Sequence, residues 1–297
     1  MDKEVNRLRF YRYHAYVFIL PTLIGLLFFR LIPITVSIAA SFTSWDIYSP
    51  PKWVGFANYV EMFRSIEFWK VIQHTLTFST FFTVGVCTIG LLFAVLLNEK
   101  LKGIRFFRSL FFLPVITSVI AIGIMWDWIL SPQLGILNSL LSHLWPGMEM
   151  PSWLGDPKYA MGTLVSVYIW KSVGYQMIIY LAGLQHIPGE LKEAARMDGA
   201  SPVRLFFSVT LPMLTPTIFF VVIITIIESF HTFDITYAMT KGGPYQATTT
   251  LSYFIYQNAF VHYRMGYASS LAYVMFFLTL LVTWVNFLLK KKWVNYG

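Results

Sequence analysis

The side chains of this sequence that could carry chemistry fall into two settings. In the first, Lys171, Glu228 and Asp127 are ionisable groups inside long apolar stretches, and Trp170, Tyr175, Tyr168, Trp126 and Trp128 are flat aromatics in or near those stretches. A charge at the centre of a membrane helix costs at least about 2.5–3.5 kcal/mol, so such groups face protein or water. Lys171, Glu228, Trp170 and Tyr175 are therefore candidates to line an internal polar pathway, where flat rings offer stacking faces and the charges suit hydroxyls or an ionic group. A structural ion pair or hydrogen bond between helices competes for Lys171 and Glu228, and an interfacial aromatic belt competes for Trp126 and Trp128. In the second setting, Glu193-Ala194-Ala195-Arg196-Met197-Asp198-Gly199-Ala200 is a charged, glycine-ended segment between two apolar stretches. Its residue types suit a shaped contact surface better than a reaction.

Catalytic constellations do not occur. The sequence has no G-x-x-x-x-G-K-[ST] phosphate loop, and His14, His74, His143, His186, His231 and His262 are scattered with no H-E-x-x-H pair. Paired carboxylates and a nucleophile elbow are likewise missing. Cys87 is the one cysteine, which excludes an intrachain disulfide and a cysteine metal cluster. No catalytic or metal-binding residue is assigned and no cofactor is expected on this chain, so any ATP-driven work must be borrowed from another subunit.

The elements that position these residues follow from composition. Of 297 residues, 57% are hydrophobic and 12% charged, against about 45–50% and 25% in soluble domains, which points to a polytopic membrane protein. The net charge of +8 could suit nucleic acid, but the charges alternate with apolar blocks and form no basic patch, so no nucleic acid is expected. Six spans are predicted: Tyr16 to Ala40, Ile72 to Leu97, Phe106 to Leu130, Ala160 to Ala182, Leu211 to Phe233 and Ser269 to Leu289. Each can cross about 30 Å of hydrocarbon as a helix. Lipid offers no partner for backbone groups and the two-residue period of barrel strands is lacking, so the fold class is all-α. Lys171 would lie about 15 Å along the fourth span, near the midplane. The first span, basic on its leading side, is too long for the usual 7–15-residue core of a signal peptide and is expected to remain as an anchor.

Basic residues set the orientation. They crowd before span one (Lys3, Arg7, Arg9, Arg12), after span two (Lys100, Lys102, Arg105, Arg108), after span four (Lys192, Arg196, Arg204) and at the end (Lys290, Lys291, Lys292). The opposite loops hold Lys52, Arg64, Lys70, Lys158, Lys241 and Arg264. The positive-inside rule then makes both termini and the Glu193 loop cytoplasmic. Within that loop Pro188 suits a helix start, Gly189 to Met197 can continue it, and Gly199 can take the left-handed φ that ends it. Ser201 can cap a second helix with Pro202 at its first position. An interfacial amphipathic helix is the competing reading.

The literal sequence adds a resemblance. Glu193, Ala194, Ala195, then Asp198-Gly199-Ala200, preceded by Tyr180-Leu181-Ala182-Gly183-Leu184-Gln185-His186-Ile187-Pro188 and followed by Phe206 and Leu211-Pro212, resemble the "EAA" loop of bacterial binding-protein-dependent ABC importer permeases. Gly55-Phe56-Ala57-Asn58-Tyr59, Phe107-Arg108-Ser109-Leu110-Phe111-Phe112-Leu113-Pro114, Gly135-Ile136-Leu137-Asn138 and Thr240-Lys241-Gly242-Gly243-Pro244 extend it over nearly the whole chain, in the sugar branch that includes the larger maltose permease and the glycerol-3-phosphate permease. His74 departs from it, standing where that branch has Asn before Thr75.

The resemblance implies an ABC type I importer permease fold in the bacterial cytoplasmic membrane. It implies that Glu193, Ala194, Ala195, Asp198 and Gly199 form the helix that couples to the ATPase. The implied partners are a second permease of the smaller maltose type, an ATPase dimer using ATP and Mg, an extracytoplasmic solute-binding protein and membrane lipid. The implied cargo is a sugar or oligosaccharide, with a polyol or glycerol phosphate as alternatives. A self-sufficient secondary transporter, with Lys171 and Glu228 in ion coupling, is the rival of another class. The expected organisation is an arm, first span and extracytoplasmic loop over 1–70, a permease core over 71–290 with its coupling loop at 186–210, and a cytoplasmic tail over 291–297.

Overall fold

The computed structural model describes residues 16–98, 103–147 and 149–294. Lys3, Arg7, Arg9, Arg12, Lys100 and Lys102, which carry much of the orientation argument, lie outside the described residues, as do positions 295–297 of the expected tail. Contacts divide the chain into two units, one of residues up to Arg64 with Ile255–Tyr273, the other of Ser65–Phe254 with the chain from Val274 onward.

The first unit opens with helix α1 (Tyr16–Ser41), which buries none of its apolar stretch within the chain. One π turn, Leu27–Leu31, interrupts it, with the Ile32 N–H donating to the Leu27 carbonyl. Pro33 follows directly; it has no N–H and its ring crowds the carbonyl four residues back, so the turn ahead of it widens. Strands β1 (Thr43–Ser44) and β2 (Lys52–Trp53) pair antiparallel with Thr43 opposite Trp53. Phe42 fixes this ribbon by stacking on Trp53 at 5.6 Å and meeting Phe56 edge-on at 5.2 Å. From α2 (Ala57–Arg64), buried Asn58 donates to the Ser41 and Thr43 carbonyls at 2.8 and 2.9 Å. Glu61 of the same helix forms an ion pair with Arg264 at 2.6 Å. The polar, aromatic loop thus folds on side-chain-to-backbone bonds more than on strand length.

In the second unit, α3 (Ile66–Leu96) begins on Ser65, whose hydroxyl accepts the Phe68 N–H. The expected third span is two helices, α4 (Ile104–Ile116) and α5 (Val119–Ile129), meeting at 99°. Pro114 removes a donor from the last turn of α4, and Thr117 and Ser118 are extended with ψ of 143° and 131°, so the helix cannot run on to Leu130. Next come α6 (Ile136–Leu144) and α7 (Pro157–His186). α7 starts with Asp156 accepting the Lys158 N–H at 2.8 Å and Pro157 at its first position. After α8 (Gly189–Met197), α9 (Pro202–Phe230) carries a second π turn, Phe206–Thr210, again just ahead of a proline, Pro212. α10 (Asp234–Met239) follows, and α11 (Leu251–Tyr256) and α12 (Met265–Lys290), each shared in sequence between the two units, complete the helices.

Among the described residues α1, α3, α9 and α12 are each long and apolar enough to cross a membrane, and the bent pair α4–α5 makes a fifth if taken as one span. The expected fourth span lies within α7. That helix is 30 residues long but falls outside the apolar set, because it carries polar side chains, of which Tyr168, Ser172 and Gln176 are buried on the side where α3, α4 and α9 pack. Its core contacts are aromatic at one end, where Tyr168 packs at 4.7 Å from Phe82 and 5.9 Å from Phe78. Toward the other end Met177, Tyr180 and Leu184 pack with Ala94, Leu214 and Val221. Gly174 lets α4 approach: a Cβ there would stand 2.2 Å from the Phe111 carbonyl oxygen.

Candidate coupling loop and intramembrane polar site

The segment from Glu193 to Ala200 forms the end of α8 and its cap. Asp198 is the C-cap, Gly199 takes φ +77°, the Gly199 N–H donates to the Arg196 carbonyl and the Ala200 N–H to the Ala195 carbonyl, both at 3.0 Å. This reciprocal pair is a Schellman cap, which needs a residue at ease in left-handed φ. Three residues on, the Ser201 hydroxyl accepts the Arg204 N–H at 3.3 Å with Pro202 at the first helical position. The two helices therefore meet at a bend whose backbone groups are satisfied locally, making a rigid feature.

Its outer face is free of packing. α8 buries no residue, Glu193, Ala194, Asp198 and Gly199 are exposed, Ala195 is half-buried, and Met197 is 88% exposed. The helix is anchored at both ends by long neighbours and leaves Met197 exposed beside Glu193 and Asp198.

Deeper in the same unit, Glu228 of α9 accepts a hydrogen bond from the Tyr168 hydroxyl at 3.2 Å. This contact opens a seam of polar groups between α3, α7 and α9. The Ser79 and Ser229 hydroxyls bond to each other, and the Gln176 amide nitrogen donates to the Thr225 hydroxyl at 3.4 Å. The Cys87 sulfur stands 4.0 Å from that same hydroxyl. Gln176 and Thr225 are fully buried, and the Gln176 carbonyl oxygen is buried without a hydrogen-bond partner. Tyr168, Ser172 and Gln176 recur every four residues along one stripe of α7. That spacing in an apolar helix was the available sequence signal for Ser172 and Gln176, which the charge-led reading passed over.

The four expected pathway residues have different surroundings. Lys171 has no carboxylate within 4.0 Å among the described residues; the direct hydrogen bond to Glu228 comes from the Tyr168 phenol, while the Lys171 ammonium is near enough to act on that carboxylate through space. Trp170 packs edge-on against Trp126 at 5.5 Å, on another side of α7 from Tyr168. Tyr175 is 46% exposed. Trp128 and Asp127 are exposed at the end of α5.

Comparison with known proteins decides what kind of molecule carries this loop. The pattern of the family described as binding-protein-dependent transport system inner membrane component matches residues 86–295, most of the chain and all of the Glu193 loop. The chain belongs to this family. It is similar to the probable ABC transporter permease protein YesP of Bacillus subtilis (strain 168), at 39% identity over 95% of this chain and 92% of that one. It is 35% identical to the sulfoquinovosyl glycerol transport system permease protein SmoG of Agrobacterium fabrum, over 91% of this chain and 87% of the relative. To the sn-glycerol-3-phosphate transport system permease protein UgpA of Escherichia coli it is 31% identical, with 96% of each covered.

Among solved structures, a chain of a bacterial alginate ABC transporter, in complex with an alginate pentasaccharide-bound periplasmic protein, superposes with a TM-score of 0.85 over 99% of this chain and 98% of that chain, at 24% identity. The MetNI methionine ABC transporter gives 0.53 at 18% identity, over 76% of this chain and 97% of that one. At these identities the likeness is one of fold. The protein is thus a transmembrane, non-catalytic permease subunit of an ABC importer in the inner membrane, and the secondary-transporter alternative is set aside.

Proposed function

We propose that this permease subunit carries a saccharide or a close polyhydroxylated relative, received from an extracytoplasmic binding protein and driven by a separate ATPase dimer. The observation that carries the reading is the exposed, locally capped α8 bend of Glu193, Ala194, Ala195, Asp198 and Gly199. A bend whose backbone groups are satisfied locally and which leaves Met197 outward suits docking to a soluble subunit, and rigid-body motion of α8 would pass directly into α7 and α9. Support for the cargo comes from the relatives, whose names specify sulfoquinovosyl glycerol, sn-glycerol-3-phosphate and, for the structural neighbour, alginate. Those cargoes share hydroxyl-rich, partly anionic chemistry.

In this reading the chain crosses the membrane six times with both termini cytoplasmic, α7 counting as the fourth span and α4–α5 as a bent third. The core runs over 71–290 with its coupling loop at 186–210. A second permease completes the pathway, and ATP and Mg belong to the ATPase. Glu228, with Tyr168, is a polar station of the pathway; Lys171, Trp170 and Tyr175 contribute from neighbouring faces of α7.

The test is purification of the chain from its own membranes in mild detergent, with mass spectrometry of what accompanies it. A P-loop ATPase, a second permease and a binding protein that takes up a saccharide are expected. Gly199→Asp, which adds a charge and a Cβ at φ +77°, should release the ATPase while leaving the chain inserted. A lone chain that transports by itself, or full transport by Gly199→Asp, would overturn the reading.

A further inference from the structure

A cavity of about 440 Å³ lies beside the first half of α7, within the range of roughly 300–1,000 Å³ usual for small-molecule sites. Trp126 of α5, Trp153 of the loop after α6, and Tyr159, Gly162, Ser166 and Trp170 of α7 form its walls. The four α7 residues are spaced by three or four and so share one stripe of the helix. Trp170 and Tyr168 are two residues apart, a rotation of about 200°, so this cavity and the Tyr168–Glu228 contact belong to different faces of α7.

Three features mark the cavity as built. Trp153 is a fixed wall, because its indole N–H donates to the Asn138 side-chain oxygen at 2.7 Å while the Asn138 amide nitrogen donates to the Pro132 and Pro151 carbonyls at 3.3 and 3.2 Å. Trp126 has a buried indole nitrogen with no hydrogen-bond partner. Gly162 lies inside a helix, where glycine is less stable than alanine. Neither a positive φ nor a close neighbour accounts for it: a Cβ there would meet nothing within 4 Å. The effect of glycine at this position is to leave the cavity open.

We infer that this cavity binds one pyranose ring of a saccharide, at a station separate from Tyr168 and Glu228; the inference rests on the saccharide reading above. A pyranose has apolar C–H faces and a polar rim. The aromatic walls offer flat apolar surface for the faces. For the rim there are the unpaired Trp126 N–H, the Ser166 hydroxyl, which donates to the Gly162 carbonyl and keeps acceptor capacity, and the Lys158 ammonium, 5.2 Å from the centre of the Tyr159 ring. A lipid chain would use the rings and leave the polar groups unpaired.

The test uses the assembled importer in lipid nanodiscs free of alkyl glycoside detergent, with methyl β-D-glucopyranoside as probe and saturation-transfer NMR as readout. Wild type should transfer saturation to the C–H protons of the sugar. Gly162→Leu, a good helix former with room for its first carbon, should lose that signal, and Trp153→Leu should lose it too. Trp128→Leu, which alters an exposed tryptophan outside the cavity, should keep it. No signal in wild type, a signal unchanged in both cavity variants, or its loss in Trp128→Leu would overturn the inference. So would protection of tryptophan from a dibrominated phosphatidylcholine by Gly162→Leu without effect on the sugar, which would make the cavity a lipid groove. Saccharide uptake by a wild-type importer that fails this test refutes the station alone; a co-purified binding protein that takes no saccharide refutes the cargo reading alone.

Discussion

Gly162 and Gly174 lie on the same helix, twelve residues apart, and the same substitution at each should have opposite effects. Replacing glycine by alanine in a helix interior gains about 0.8–1.0 kcal/mol of propensity at either site. At Gly162 the new methyl group meets nothing within 4 Å, so that gain stands alone and the variant should be more stable by about 1 kcal/mol. At Gly174 the methyl carbon would lie 2.2 Å from the Phe111 oxygen, 2.9 Å from the Phe111 carbonyl carbon and 3.1 Å from the Phe112 Cα. All three are backbone atoms of α4, so no rotamer change relieves them and the two helices must separate. Overpacking costs about 1–3 kcal/mol, occasionally more, and a backbone-on-backbone clash belongs at the top of that range. After the propensity gain, Gly174→Ala should lose about 2 kcal/mol, roughly 3 kcal/mol below Gly162→Ala. At about 1.36 kcal/mol per factor of ten, the unfolding equilibria should differ by more than a hundredfold. Titration of both variants with sodium dodecyl sulfate in mixed micelles, followed by circular dichroism, reads the difference. Equal midpoints for the two would refute the close approach of α4 and α7 at Gly174.

Other consequences are smaller or more local. Gly199→Ala places a Cβ at left-handed φ, at about 1–2 kcal/mol, whereas Gly199→Asn should be better tolerated. Binding-protein-stimulated ATP hydrolysis should therefore fall more in the alanine than in the asparagine variant, and the reverse order would argue against the capped bend. The Glu61–Arg264 pair has both side chains about half exposed, so Glu61→Gln should cost under about 1 kcal/mol, and less still in high salt; a larger, salt-independent loss would show that the pair holds more than itself. Hydrogen bonds from the Ser49 side chain and N–H hold the Asp46 carboxyl below its ordinary value of 3.8. A depressed carboxyl contributes stability above its unfolded pKa that is lost as pH falls through the folded value. Ser49→Ala should therefore raise the Asp46 midpoint in an acid titration of its carboxyl carbon shift, and an unmoved midpoint would contradict the bonded loop.

The capped bend at Gly199 was legible because its determinants are local. Gly199, Ser201 and Pro202 act through left-handed φ, a short-range cap and a missing donor, as their residue types predict, whereas Pro188 stands one place ahead of its expected first-turn position, as the extended N-cap before Gly189. The apolar stretches were legible for a similar reason, since lipid forces their backbones into helices whatever surrounds them. Pro114 signalled a weak point in the third span, but the 99° turn also needs Thr117 and Ser118 extended, which sequence periodicity does not report.

The sequence by itself determined that this is a largely helical membrane protein with a locally capped loop, because hydrophobic length and local backbone chemistry are properties of neighbouring residues; the short β1–β2 ribbon was outside that reading. Which polar groups meet inside the protein was decided by tertiary structure. Lys171 and Glu228 were read as facing one cavity or as joined between helices; the hydroxyl that bonds the Glu228 carboxylate is that of Tyr168, and Trp170 packs against Trp126. The reason is rotational: at 100° per residue, neighbours in sequence face different helices, and only the packing of α7 among its neighbours selects which face meets which.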